Sequence, residues 1–134
     1  MTRMIFVNLP VSDLERSKHF YEALGFRINP QFSDDTAACV VISDTIYLMI
    51  LTRERFKGFA PLPVAETSET TAALIALTQD SKADVDRMTA AAIAAGGHEP
   101  KAATDLGFMY TRTFLDPDGN VFEPVWMDPA AVGG

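Results

Sequence analysis

The chain has 134 residues, 48% of them hydrophobic and 22% charged, which suffices for one domain with a real core and excludes both a disordered chain and two ordinary domains. Asp and Glu number 18 against 11 Lys and Arg, giving a formal net charge of -7 and a pI near 4.6, so nucleic acid and anionic membrane are disfavoured partners because both repel an acidic surface. A single cysteine, Cys39, rules out an intrachain disulfide and fits a reducing compartment.

No apolar stretch approaches the roughly 20 residues of a membrane span. Met1-Thr2-Arg3-Met4 runs straight into a strand-like segment without a signal-peptide layout, so the expected address is the cytoplasm.

Residues Met4 to Leu9 are short and mostly apolar, the pattern of a strand buried on at least one face. Ser12-Asp13-Leu14-Glu15 has the form of a capping box. Leu14, Ser17, Tyr21 and Leu24 then recur at three- and four-residue spacing, and Gly25 suits a left-handed C-cap, which predicts a helix over Asp13 to Leu24. Strand-like runs follow at Arg27 to Phe32, Ala37 to Ile42 and Thr45 to Leu51, broken by polar turns at Ser33-Asp34-Asp35 and Ser43-Asp44. Cys39 lies in one of these apolar runs, where an inert buried thiol is expected.

A polar stretch from Thr52 to Thr71 separates this half from the next. It is long for a connection without structure of its own, and it carries Phe56, Phe59, Pro61 and Pro63, as lids and interface arms do. A disordered linker is the alternative, against which the aromatics argue.

Leu74 to Thr78 then reads as a strand, and Ser81 opens a second helix whose Val85, Met88, Ala92 and Ala95 face one way before Gly96-Gly97 ends it. A short strand candidate near His98 follows. Phe108 to Leu115 and Asn120 to Met127 flank the turn Asp116-Pro117-Asp118-Gly119. Pro117 fixes its backbone angle there, Asp116 and Asp118 can bond local amides, and Gly119 tolerates a positive φ.

The order strand, helix, three strands thus occurs twice, with Phe6 matching Leu74 in the opening strands and Met49 matching Glu123 in the closing ones. Two such halves predict an α+β fold. A ferredoxin-like sandwich is the competing architecture, and three strands after each helix argue against it.

Val11-Ser12-Asp13-Leu14-Glu15-Arg16-Ser17-Lys18-His19-Phe20-Tyr21-Glu22-Ala23-Leu24-Gly25-Phe26 resembles the opening of glyoxalase-like domains. Phe114-Leu115-Asp116-Pro117-Asp118-Gly119-Asn120-Val121-Phe122-Glu123 resembles their closing hairpin. With both motifs in place at opposite ends, the chain is similar over nearly its whole length to the vicinal-oxygen-chelate superfamily of glyoxalase and bleomycin-resistance proteins, and within it to the branch labelled "predicted lactoylglutathione lyase". The resemblance implies one domain over residues 1–134, built of two paired βαβββ modules that form a curved, cupped mixed sheet with the helices outside. Module 1 would span about 3–52 and module 2 about 71–128, joined by a lid-like or arm-like loop over 53–70. It also implies a homodimer.

Metal-chelating members of that family carry one ligand at each of four places, which fall here on Phe6, Met49, Leu74 and Glu123. Phenylalanine and leucine have no donor atom and a thioether suits soft metals, so only Glu123 could bind a hard or borderline divalent ion. Neither a metal nor another cofactor is expected, and both histidines, His19 and His98, are expected in solvent. Pairing across a four-residue turn would set Arg112 opposite Glu123 and place Tyr110, Arg112 and Glu123 on one face, the concave one by resemblance. Phe6, Asn8, Met49, Leu74, Tyr110, Arg112 and Glu123 are then the candidate ligand contacts. Asn8 is the one polar position among the strand residues 4–9.

Three functions remain open. One is metal-free binding of a small organic molecule in the cup, as drug-sequestering members do. A second is a lyase or isomerase with Glu123 as acid or base and a glutathione adduct as its candidate substrate. A structural dimer module with a filled cavity is a third.

Overall fold

In the computed structural model, which describes residues 1–132, the chain starts with strand β1 (Ile5–Val11) and helix α1 (Leu14–Ala23). The cap of α1 is Asp13, one residue later than the capping box predicts: its carboxylate accepts from the Arg16 amide at 3.1 Å, while the Ser12 hydroxyl accepts from the Arg16 guanidinium at 2.8 Å. Ser and Asp are near-equal caps, and Asp13 has the extended backbone angles that a cap residue takes. The helix ends at Gly25, whose φ of 97° belongs to the left-handed region.

Strands β2 (Arg27–Asn29), β3 (Ala37–Val41) and β4 (Ile46–Thr52) complete the first sheet, in the order β1-β4-β3-β2. Only the β1–β4 pair is parallel. The expected strand over Arg27 to Phe32 stops early, because Pro30 cannot donate to a ladder and opens a 3-10 turn over Pro30–Phe32. Helix α1 covers one face of this sheet. Phe20, Tyr21, Val40, Leu48 and Ile50 are fully buried there, the largest block of the first core.

The connection expected as a loop over 53–70 begins instead with helix α2 (Arg53–Phe59). The Thr52 hydroxyl caps it by accepting from the Arg55 amide at 3.2 Å, with Glu54 in the first turn and Lys57 in the last, as the helix dipole favours. It packs against β1 and β4. The first compact unit closes at Thr70, and the second opens at Thr71.

The second unit holds β5 (Leu74–Thr78), helix α3 (Lys82–Ala94), β6 (Thr104–Asp105), β7 (Met109–Thr111), β8 (Phe114–Leu115), β9 (Val121–Met127) and a final turn of helix, α4 (Pro129–Val132). Its sheet runs β5-β9-β7-β6 with β8 also on β9, and again only the first and last strands, β5 and β9, are parallel. With β7 and β8 counted as one interrupted strand, since both pair with β9 in a single register, each unit is a βαβββ motif with a mixed sheet, and the fold is α+β. His98 makes an isolated bridge to Leu115 rather than a strand.

Two corrections concern the closing hairpin. The run expected as one strand, Phe108 to Leu115, is cut at Arg112–Thr113. Arg112 N–H donates to Pro124 O at 3.3 Å, but Pro124 has no N–H to return the bond, so the ladder lapses at that rung.

The register also differs by one residue from the expectation. Leu115 pairs with Val121, Phe114 with Phe122 and Thr111 with Val125. The Asp116 amide donates to Asn120 O at 2.9 Å, so the loop proper is the three residues Pro117-Asp118-Gly119, closed by a turn bond from Gly119 N–H to Asp116 O at 3.0 Å. Gly119 takes a φ of 93°, the left-handed residue that three-residue hairpins require. A slip of one residue moves every side chain to the other face. Thr113, not Arg112, therefore lies opposite Glu123.

Candidate functional site

In the first unit, strand alternation puts Phe6, Asn8 and Pro10 on the sheet face that α1 leaves bare. The parallel register sets Phe6 beside Tyr47 and Asn8 beside Met49, with Cys39 across from Met49 on the third strand. The Phe6 and Tyr47 rings stack at 4.6 Å between centroids and 9° between planes, and Phe6 keeps 48% of its surface in solvent. Three of the expected contacts, Phe6, Asn8 and Met49, thus share one face. Cys39 is buried in the row behind them, and burial pushes its thiol above the ordinary range against a smaller opposing pull from Arg27.

Asn8 also belongs to a cleft of about 480 Å³ whose other walls are Leu51, Phe56, Phe59, Ala60 and Pro61. Helix α2 supplies its two aromatic residues, which local reading placed in a loop. Phe59 also lines a neighbouring cleft of about 390 Å³ with Thr36, Thr52, Glu54, Arg55 and Gly58. Arg55 sits over the Phe59 ring at 5.5 Å from its centroid, and its guanidinium donates to the Thr36 hydroxyl at 2.8 Å with Asp34 Oδ2 at 3.9 Å.

In the second unit, Leu74 and Glu123 share the face opposite α3, since Ala76 pairs with Glu123 and Leu74 is two residues before Ala76. Leu74 is 60% exposed. Glu123 is half-buried, and the Thr113 hydroxyl stands 3.5 Å from its Oε2, long for a hydrogen bond. Thr113 is the neighbour that a one-residue error in register concealed.

Tyr110 and Arg112 are on the other face of that sheet, so the expected Arg112–Glu123 pair does not exist. The Arg112 guanidinium grips Glu99 with two bonds of 2.8 Å, and its Nη1 donates to Asp86 Oδ1 at 2.9 Å. Tyr110 donates its hydroxyl to the same Asp86 oxygen at 2.5 Å. The Tyr110 and Arg112 bonds hold the Asp86 carboxyl below its ordinary value, the Arg112 bonds do the same for Glu99, and those two acids hold the guanidinium proton more tightly still. Asp86 is on α3, so this cluster ties helix to sheet.

The four places where the resemblance implies metal ligands all fall on the sheet faces opposite α1 and α3, yet the residues there do not fit a divalent ion. A ring, a thioether and a leucine accompany the single carboxylate of Glu123. Among the described residues no three of His, Cys, Asp and Glu gather as a metal would require, and His19 and His98 are exposed.

Residues 3–43 match the family model for the N-terminal part of bleomycin-resistance-like proteins. No curated protein matches the chain. Solved structures share the fold. A hypothetical protein from S. aureus is 28% identical with a TM-score of 0.78, covering 94% of this chain and 95% of that one. A glyoxalase/bleomycin resistance protein/dioxygenase family enzyme from Burkholderia phytofirmans is 21% identical with a TM-score of 0.77, covering 94% and 99%. A glyoxalase/bleomycin resistance protein from Albidiferax ferrireducens is 26% identical with a TM-score of 0.67, covering 90% and 95%.

Proposed function

We propose that this chain is a vicinal-oxygen-chelate protein that binds a small organic molecule without a metal, on the first-unit sheet face opposite α1. The observation that carries the proposal is Phe6: a large aromatic ring on a strand, stacked on Tyr47 yet 48% exposed, beside the polar Asn8. A sheet face that only served as core would bury that ring. The likeness to bleomycin-resistance-like and glyoxalase-like proteins supports a fold built around such a face.

A ligand found by screening small organic molecules for a rise in melting temperature is expected to bind Phe6→Ala at least about tenfold more weakly than the wild type. Because Phe6 is exposed, the variant should melt within about 2 °C of the parent. A ligand that binds both equally, or a broad screen with no ligand at all, would remove the proposal.

A second reading has one observation in its favour. Glu123 makes no ion pair among the described residues and only a 3.5 Å contact to Thr113, so its carboxylate is available as an acid or base of the lactoylglutathione lyase kind. The discriminating result is a Glu123→Gln variant that folds, retains affinity for a glutathione adduct and loses its turnover. Absence of turnover in the wild type leaves binding alone. The homodimer belongs to the same proposal, and a sedimentation mass equal to one chain would remove it.

A further inference from the structure

We propose that the cleft between α2 and strands β1 and β4 takes an uncharged, flat aromatic molecule bearing an adjacent N–H and C=O, that is, an aromatic lactam or amide. The proposal rests on the sheet-face reading above and names the ligand class for it. The walls set the class. Leu51, Phe56, Phe59, Ala60 and Pro61 present apolar side chains, and Asn8 is the sole polar one. At about 480 Å³ the cleft is within the range of small-molecule sites.

Asn8 determines the polar half of the ligand. Its Nδ2 donates one hydrogen to Phe6 O at 3.3 Å. The second Nδ2 hydrogen and the acceptor Oδ1 remain for a partner. An adjacent N–H and C=O on the ligand matches that pair, the N–H donating to Oδ1 and the C=O accepting from Nδ2.

The absence of charge follows from Arg55. It is the cation held against Phe59, but it is engaged by Thr36 and Asp34 and lines the neighbouring cleft, not this one. A carboxylate or ammonium in the Asn8 cleft would lose hydration with no opposite charge in return. Arg55 instead steadies Phe59, so a ring that is 68% exposed stands as a wall with one face left for a flat ligand.

The probe is 2-quinolone, titrated by calorimetry and followed by amide NMR, against 1-methyl-2-quinolone, which lacks the donor, and quinoline-2-carboxylate, which is charged. Expected results are saturable binding of 2-quinolone to the wild type, about tenfold weaker binding of the methylated analogue and no binding of the carboxylate. Asn8→Ala should remove the preference for 2-quinolone over its methylated form, and Phe59→Ala should weaken both by about tenfold. Both side chains are exposed, so both variants should fold. Equal affinity for the two quinolones, or affinity untouched by Asn8→Ala and Phe59→Ala, overturns the inference. If 2-quinolone fails while a broad screen yields Phe6-dependent ligands of another class, the lactam assignment falls and the sheet-face proposal stands. If that screen also yields nothing, both fall.

Discussion

An Asp116→Ala variant is expected to lose about 3 kcal/mol of folding stability and roughly 10 °C of melting temperature. Asp116 is 2% exposed, and its carboxylate accepts from the Asp118 amide at 2.9 Å, the Asn120 amide at 2.8 Å and the Asn120 side-chain amide at 2.9 Å. Truncation removes three bonds to one buried acceptor and strands three donors in a place where Asp118 and Asn120 are themselves buried. Asp116→Asn keeps the size and one acceptor oxygen, so it should lose less. Urea unfolding of the three proteins measures the differences. A loss under about 1 kcal/mol for Asp116→Ala would mean that Pro117 and Gly119 alone specify the turn. The consequence reaches the site, because this loop fixes the register that puts Glu123 opposite Thr113.

The same turn shows how far local sequence can be read. Asp116-Pro117-Asp118-Gly119 announces a hairpin, and a hairpin it is. Whether Asp116 belongs to the loop or to the first rung is not visible in the four residues, since it depends on the bond from the Asp116 amide to Asn120 O. Counting Asp116 as loop moves the ladder by one residue and carries Tyr110 and Arg112 to the wrong face. One available signal was Arg112 itself, whose charge is better satisfied near the acids Asp86 and Glu99 than on an open apolar face. Pro124 was another, because a proline inside a paired strand foretells a missing rung opposite it.

Helices α1 and α3 were legible because their apolar residues recur at helical spacing over three turns and each ends in glycine. Helix α2 was not. Seven residues offer too few turns for a period, and Gly58, Pro61 and Pro63 read as loop. The Thr52 cap ahead of Arg53, Glu54 and Arg55 was its one local sign. On the first-unit face, by contrast, alternation alone placed Phe6 and Asn8 together, since β1 carries no bulge over its register with β4.

Replacing Arg112 with Leu is expected to cost about 2 kcal/mol at neutral pH and to change the response to acid. The two-pronged bond to Glu99 is the larger part of that loss, because both side chains are mostly covered, at 22% and 21% exposure. The contact with Asp86 adds less, since Asp86 is half exposed and water screens it. In the wild type both acids titrate below their ordinary values of 3.8 and 4.5 when folded. Their stabilisation is present above about pH 4.5 and is lost as the pH falls through the depressed folded values, which lie under 4.5 for Glu99 and under 3.8 for Asp86. Without Arg112 the two carboxylates keep only each other's repulsion and the Tyr110 bond, so the Glu99 value should rise and its acid-dependent loss should vanish. The gap between wild type and Arg112→Leu should therefore be widest near pH 7 and narrow steadily below pH 4, as urea unfolding at several pH values would show. A gap that stays constant down to pH 3 would mean that Arg112 stabilises through its packed aliphatic stem and not its charge. Ligand affinity at the Asn8 cleft should not follow Arg112 in either case, because the cluster ties α3 to the second sheet and the cleft is built from the first unit alone.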